Sequence, residues 1–122
     1  MTPLVLVVDN EKGLLILFSS LVQRMGYEVL QAESGMAALA ILEQQTPDLM
    51  ILDLAMPEMT GFDVLREVIT MPHLDRLPVM VLTATSFGPA PEDVKHRIGA
   101  WVTKPVHPET FNATVRELLE RA

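Results

Sequence analysis

Leu49-Met50-Ile51-Leu52-Asp53-Leu54-Ala55-Met56-Pro57 is the stretch that decides the fold. Four apolar residues in a row suit a strand buried on both faces, the condition of a parallel sheet covered by helices on either side. A carboxylate directly after such a strand is costly to bury unless it stands at the mouth of a site. Leu4-Val5-Leu6-Val7-Val8 repeats the pattern and ends in Asp9 and Asn10. Val79-Met80-Val81-Leu82 repeats it again and ends in Thr83.

Between these runs the apolar period changes to that of helices. Glu11–Met25 offers Leu14, Phe18, Leu21, Val22 and Met25 as one face, with Gly26 just past its end. Glu28–Ala32 reads as a second, weaker strand. Ser34 can cap a helix running to about Gln45, with Met36, Leu39, Ala40 and Leu42 toward the core. Thr60 can cap the next, which carries Phe62, Leu65, Val68 and Ile69. Pro89 and Pro91 forbid helix in the segment after Phe87, so a fourth helix should be short and start near Glu92. Trp101–Thr103 is a brief fifth strand, and Pro108 opens a last helix with Phe111, Val115 and Leu118 inside.

Five βα units in succession predict an α/β three-layer sandwich. Right-handed crossovers favour the flavodoxin-like (βα)5 arrangement, a parallel five-stranded sheet of order 2-1-3-4-5. Ligands of such sheets bind at the carboxyl ends of the strands. Asp9, Asn10, Asp53, Thr83 and Lys104 all fall on that edge.

The 122-residue length suits one domain, residues 1–122, and 49% hydrophobic content supports a core without disulfides. With no cysteine, zinc–thiolate sites and a Cys nucleophile are excluded. Met1-Thr2-Pro3 lacks the basic opening of a signal peptide, and no apolar run approaches a membrane span. The net charge of −7 opposes direct nucleic-acid binding and anionic membranes. The expectation is a cytoplasmic protein.

Acids gathered at one mouth repel each other and call for a cation. Oxygen donors without neighbouring His or Cys suit a hard ion such as Mg2+, which takes its remaining oxygens from water and phosphate. Lys104 adds a positive charge and Thr83 a hydroxyl. Together they outline a receptacle for a phosphoryl group, and an Asp carboxylate is a competent nucleophile for receiving one.

The chain resembles the receiver domain of two-component response regulators over essentially its whole length. The matching stretches are Val7-Val8-Asp9-Asn10-Glu11, Leu52-Asp53-Leu54-Ala55-Met56-Pro57-Glu58-Met59-Thr60-Gly61, Leu82-Thr83-Ala84 and Lys104-Pro105. Each is weak alone, and the ordered set is highly specific. The resemblance implies that Asp53 accepts a phosphoryl group from a phosphohistidine on a sensor histidine kinase or histidine phosphotransfer protein, and that the change is passed to a downstream effector. It further implies that Asp9, Asn10, Asp53 and the Ala55 backbone carbonyl hold Mg2+, that Lys104 pairs with the phosphoryl group, and that Thr83 and Trp101 act as switch residues. Catalysis would be confined to the protein's own phosphorylation and dephosphorylation.

Two features depart from the family pattern. Asn10 stands where a second acid is usual, so cation affinity should fall. The approach to strand five, Gly99-Ala100-Trp101, is shortened, which points to an altered fourth helix. These departures motivate a competing function, a degenerate receiver that binds a partner without being phosphorylated. An aspartate-nucleophile phosphatase of the haloacid dehalogenase type wants an acid two residues after Asp53, where Ala55 stands. Flavin binding wants a Ser/Thr/Gly-rich loop where Asp9-Asn10-Glu11-Lys12 stands.

Blander roles compete residue by residue. Asp53 alone could cap a turn, Asn10 could form one, and Glu11 could simply oppose the helix macrodipole. Trp101 could fill the core. Thr85 and Ala55 could tune phosphate hydrolysis or be loop filler. His73, His96 and His107 share no spacing and read as solvent-facing or helix-end residues. Lys104-Pro105 is a candidate cis bond.

Overall fold

The computed structural model describes residues 2–84 and 88–121. Five strands, β1 (Leu4–Val8), β2 (Glu28–Ala32), β3 (Leu49–Leu52), β4 (Val79–Thr83) and β5 (Ala100–Thr103), pair in parallel in the order β2-β1-β3-β4-β5. Helices α1 (Lys12–Arg24), α2 (Gly35–Gln44), α3 (Gly61–Ile69), α4 (Glu92–Lys95) and α5 (Pro108–Arg121) connect or follow them. The flavodoxin-like order expected from the alternating pattern is the one observed.

The central strands explain the two-sided core. Val5, Val7, Leu49, Ile51, Met80 and Leu82 meet Leu15, Phe18 and Val22 of α1 and Phe111, Val115 and Leu118 of α5. Phe18 and Phe111 stack at 5.3 Å between centroids and tie those two helices together. The alternate residues Leu6, Val8, Met50, Leu52, Val79 and Val81 meet α2, α3 and Val94 of α4. Strands with both faces covered this way read as continuous apolar runs, the signal the sequence carried.

Helix faces were less legible. In α1 the buried stripe is Leu15, Phe18, Ser19 and Val22, so Leu14, Leu21 and Met25 sit at its margin. In α2 the buried residues are Gly35, Ala38, Leu39 and Leu42, while Met36 is 63% exposed and Ala40 is also exposed. The Ser34 hydroxyl, accepting from the Ala37 N–H at 3.0 Å, starts α2 as expected. Thr60 and Asp63 form a reciprocal capping box at α3.

The β4–β5 flank is thin. After Pro89 and Pro91, α4 makes a single turn. Val94 buries it, and Arg66 of α3 bonds Asp93 at 2.8 Å and Asp63 at 3.1 Å. So short a helix leaves β5 partly uncovered, and its residues alternate between half-buried and exposed. Trp101 is 39% exposed, which overturns the core-filling alternative. Among the described residues no helix is long and apolar enough to cross a membrane.

Candidate functional site

Each strand of the central trio hands one polar residue to the same edge. Asp53 follows β3, where its N–H donates to the Val8 carbonyl at 3.0 Å, so the residue is tied to β1 before the loop begins. Asp9 follows β1, with its N–H on the Ala32 carbonyl at 3.1 Å. The Asp9 carboxylate accepts the Glu11 N–H at 2.9 Å, turning the chain into α1. Both carboxylates are buried, Asp53 at 4% exposure and Asp9 at 2%.

Lys104 closes the group from the far flank. The Lys104–Pro105 bond is cis, as the candidate reading held. Lys104 Nζ lies 3.1 Å from Asp9 Oδ2 and 3.5 Å from Asp53 Oδ1, so one cation serves two buried anions. The Ala55 N–H also donates to Asp53 Oδ1 at 3.3 Å. Burial pushes the Asp53 carboxyl above its ordinary value of 3.8, the Lys104 charge pulls it back, and the neighbouring Asp9 charge adds to the rise. A raised carboxylate between a cation and a second acid is a common signature of a working site.

Thr83 ends β4 fully buried, and its hydroxyl has no hydrogen-bond partner among the described residues. An orphaned buried hydroxyl costs on the order of 1–3 kcal/mol. Asn10 is exposed, but its side chain reaches inward. With its amide oriented to match its neighbours, the nitrogen donates to the Ala55 carbonyl at 3.2 Å and to Asp53 Oδ2 at 3.3 Å. Trp101 lies outside this group and packs its indole against the Phe62 ring, with centroids 6.3 Å apart and planes tilted by 35°.

A depression of about 470 Å³ opens above the group, lined by Asn10, Glu11, Leu14, Asp53, Ala55, Ala84 and Lys104. Leu14, expected on the core face of its helix, and Ala84, part of the Leu82-Thr83-Ala84 stretch, were not expected to line the site; Leu14 stands one helical turn beyond Asn10, which was the available signal. Thr85, expected at the rim, lies outside the described residues, as does Phe87 at the start of the proline-rich segment. His73 is exposed and bonds the Leu42 carbonyl at 2.7 Å, whereas His107 Nδ1 accepts the Glu109 N–H at 3.2 Å at the start of α5. Neither belongs to the pocket.

The loop after Asp53 is held by close packing that sequence reading missed. Glu58 adopts φ +69°. A Cβ on Gly61 would lie 2.7 Å from the Asp53 carbonyl oxygen and from Leu54 Cδ2, so no larger residue fits without moving the loop.

The donor set suits a hard cation: two carboxylates, the Ala55 carbonyl and the amide oxygen available from Asn10. Among the described residues no group of three or more His, Asp or Glu side chains could hold a metal, so backbone and amide oxygens must complete any such site.

A family model described as the response regulator receiver domain matches residues 5–116. The polar-differentiation response regulator DivK of Brucella ovis is 30% identical over 122 residues, covering 98% of both chains. Among solved structures, the chemotaxis response regulator CheY4 of Vibrio cholerae aligns with TM-score 0.85 and 31% identity, covering 97% of this chain and 99% of that one. The response regulator TrrA of Thermotoga maritima, crystallised in complex with Mg2+ and BeF, aligns with TM-score 0.85 and 29% identity over 97% of this chain and 99% of that one.

Proposed function

The chain belongs to the response regulator receiver domain family, and on that premise we propose that Asp53 is the phospho-acceptor of a signalling switch spanning residues 1–122. The observation that carries this reading is the convergence of Lys104 on two buried carboxylates at the mouth of a cavity wide enough for a phosphoryl group. The donor is a phosphohistidine on a sensor histidine kinase or histidine phosphotransfer protein. An Asp53 carboxylate oxygen attacks phosphorus while the phosphorus–nitrogen bond of the donor breaks and its electron pair returns to the imidazole.

The roles of the surrounding residues follow from their chemistry. Lys104 offsets the charge that builds on the phosphoryl oxygens and keeps Asp53 from being repelled by Asp9. Asp9, Asn10, Asp53 and the Ala55 carbonyl would hold Mg2+, which when bound supplies further neutralisation of the phosphoryl oxygens. Phosphorylation replaces the single carboxylate charge of Asp53 with a phosphoryl group that carries roughly 1.5–2 negative charges and three acceptor oxygens. These give the orphaned Thr83 hydroxyl a partner within reach of a small shift. Movement of Thr83 out of its present position frees volume beside β5, where Trp101 on the thinly covered flank can follow. A downstream effector reads the reshaped surface. A cytoplasmic location and the absence of direct nucleic-acid contact belong to the same reading, the latter supported by the net charge of −7.

One observation favours a second reading. Asn10 brings no charge where a second acid would help to hold a cation, as a receiver that binds partners without phosphorylation could afford. Intact mass after incubation with MgCl2 and acetyl phosphate separates the two. Gain of one phosphoryl group, lost in Asp53→Asn and abolished by chelator, is expected. No gain in the folded protein would leave the phosphorylation-independent module standing.

A further inference from the structure

One guanidinium is shared between the loop that follows Asp53 and the short helix on the thin flank. On the loop side, Arg66 Nη1 donates to Asp63 Oδ1 at 3.1 Å, while Asp63 Oδ2 accepts the Thr60 N–H at 3.0 Å. Thr60 ends that loop, and Gly61 beside it closes the loop by donating its N–H to the Leu54 carbonyl at 3.0 Å. The start of the loop is tied to the carboxylate itself, because the Ala55 N–H donates to Asp53 Oδ1. On the flank side, Arg66 Nε donates to Asp93 Oδ2 at 2.8 Å, in the single turn of α4. Hydrogen bonding holds both carboxyls below their ordinary value of 3.8, chiefly through the Thr60 N–H for Asp63 and through Arg66 for Asp93. From this line of bonds we infer that Arg66 is the link through which the loop after Asp53 sets the position of α4. A change at Asp53 then reaches the β4–β5 flank by a second route, separate from Thr83 and Trp101. As a route for the signal, it rests on the phospho-acceptor reading of Asp53.

A half-exposed ion pair is ordinarily worth little, so its weight here depends on how little else holds α4. A single turn is far too short to sustain itself as a helix. No side chain caps the N-terminus of α4, and among its four residues only Val94 is buried. Just past α4, Arg97 Nη2 donates to the Leu74 carbonyl at 2.6 Å, an anchor that owes nothing to the loop. Two guanidinium groups thus divide the work: Arg97 fixes the far end of the segment, and Arg66 ties its helical turn to the loop. The forked shape of arginine matters, because Nε and Nη1 serve different carboxylates. A lysine ammonium is a single point charge and lacks that fork.

Contiguity becomes coupling only where a disturbance at one end is felt at the other. Amide hydrogen exchange followed by NMR reads α4 through the Lys95 and Arg97 N–H groups, which donate to the Pro91 and Val94 carbonyls. In the unmodified protein, Arg66→Gln should speed their exchange by about threefold or more, and Arg66→Lys should recover less than about half of that loss. Thr60→Ala removes the hydroxyl that caps the Asp63 N–H without touching Arg66. It should speed α4 exchange about twofold in the wild type and add nothing in the Arg66→Gln background. An unchanged rate in Arg66→Gln, or a Thr60→Ala effect that survives in that background, would overturn the link. Incubation with acetyl phosphate and MgCl2 then carries the test to the site. The change in α4 exchange on phosphorylation should be at least about halved in Arg66→Gln. An equal change in both proteins would overturn the route and leave the phospho-acceptor reading intact. Absence of labelling in both would remove that reading and the route together, while the link from loop to α4 stands or falls on the unmodified variants.

Discussion

β3 and β5 each deliver one charged residue to the same cavity, but from opposite kinds of support. Asp53 leaves a strand whose four residues are all buried, flanked by β1 and β4 and covered on both faces. Lys104 leaves an edge strand of alternating half-buried and exposed residues beside a helix of one turn. Asp53 is anchored in the buried middle of the sheet, and its counter-charge follows an edge strand with two exposed residues. The proposed switch needs that division, because a movable partner is of use only against a fixed reference.

The sharpest way to break the comparison is to cut equally into both strands. Leu52→Ala removes a fully buried side chain and should cost about 2–5 kcal/mol in urea unfolding. Val102→Ala on β5 should cost at most about 1 kcal/mol, because the site is already half open. Comparable losses would show that β5 is as firmly held as β3, and the division of labour would fail.

A second cut distinguishes the loop after β3 from ordinary helix surface. Gly61→Ala drives a methyl group against the Asp53 carbonyl and Leu54, and overpacking of this kind costs about 1–3 kcal/mol. Gly13→Ala in α1 meets nothing within 4 Å and should stabilise the helix by up to about 1 kcal/mol. Because Gly61 packs against the Asp53 carbonyl, its variant should also slow labelling by acetyl phosphate, whereas Gly13→Ala should leave it unchanged.

The contrast also explains what could be read from the sequence. Polar residues ending buried strands were legible because Asp9, Asp53 and Thr83 interrupt apolar runs that have no other reason to stop. Strand order followed from handedness once five βα units were recognised. The helical stripes were blurred by all-apolar stretches such as Leu14-Leu15-Ile16-Leu17, where periodicity cannot choose a face and Ile16 ends up exposed. Met36 was placed inward for its hydrophobicity, yet it stands in the first turn of α2 facing solvent. Nothing local announced that Gly61 packs against Asp53, eight positions away, or that the exposed Asn10 turns its amide in against two oxygens of the Asp53 loop. Such facts belong to loop geometry, which only the assembled sheet edge sets.

Charge gives a gentler test of how firmly Asp53 is held. Burial raises the Asp53 pKa, so folding favours its protonated form. That contribution to stability is fully present below the unfolded-state value and is lost as pH rises through the raised folded value. In cation-free buffer at neutral pH, Asp53→Asn should therefore melt a few degrees above the wild type. The gap should close as pH falls through the raised value toward 3.8. A gap independent of pH would mean that Lys104 already compensates the buried charge in full.

The smallest expected effect falls on the loose flank itself. Trp101 is the only tryptophan in the chain, so its emission reports β5 without interference. At 39% exposure, with one ring face near Phe62, it should emit at a partly solvated wavelength in the unmodified protein. Trp101→Ala should cost little stability, within about 1 kcal/mol, since so much of the ring is already in water. Phosphorylation should shift the emission, because a Thr83 hydroxyl drawn toward the phosphoryl group vacates space on the strand that pairs Val81 with Trp101. The same shift should be absent in Thr83→Ala, which has no hydroxyl to draw. If emission is identical before and after phosphorylation, β5 does not follow the acceptor, and the signal must leave through the better-packed side of the sheet.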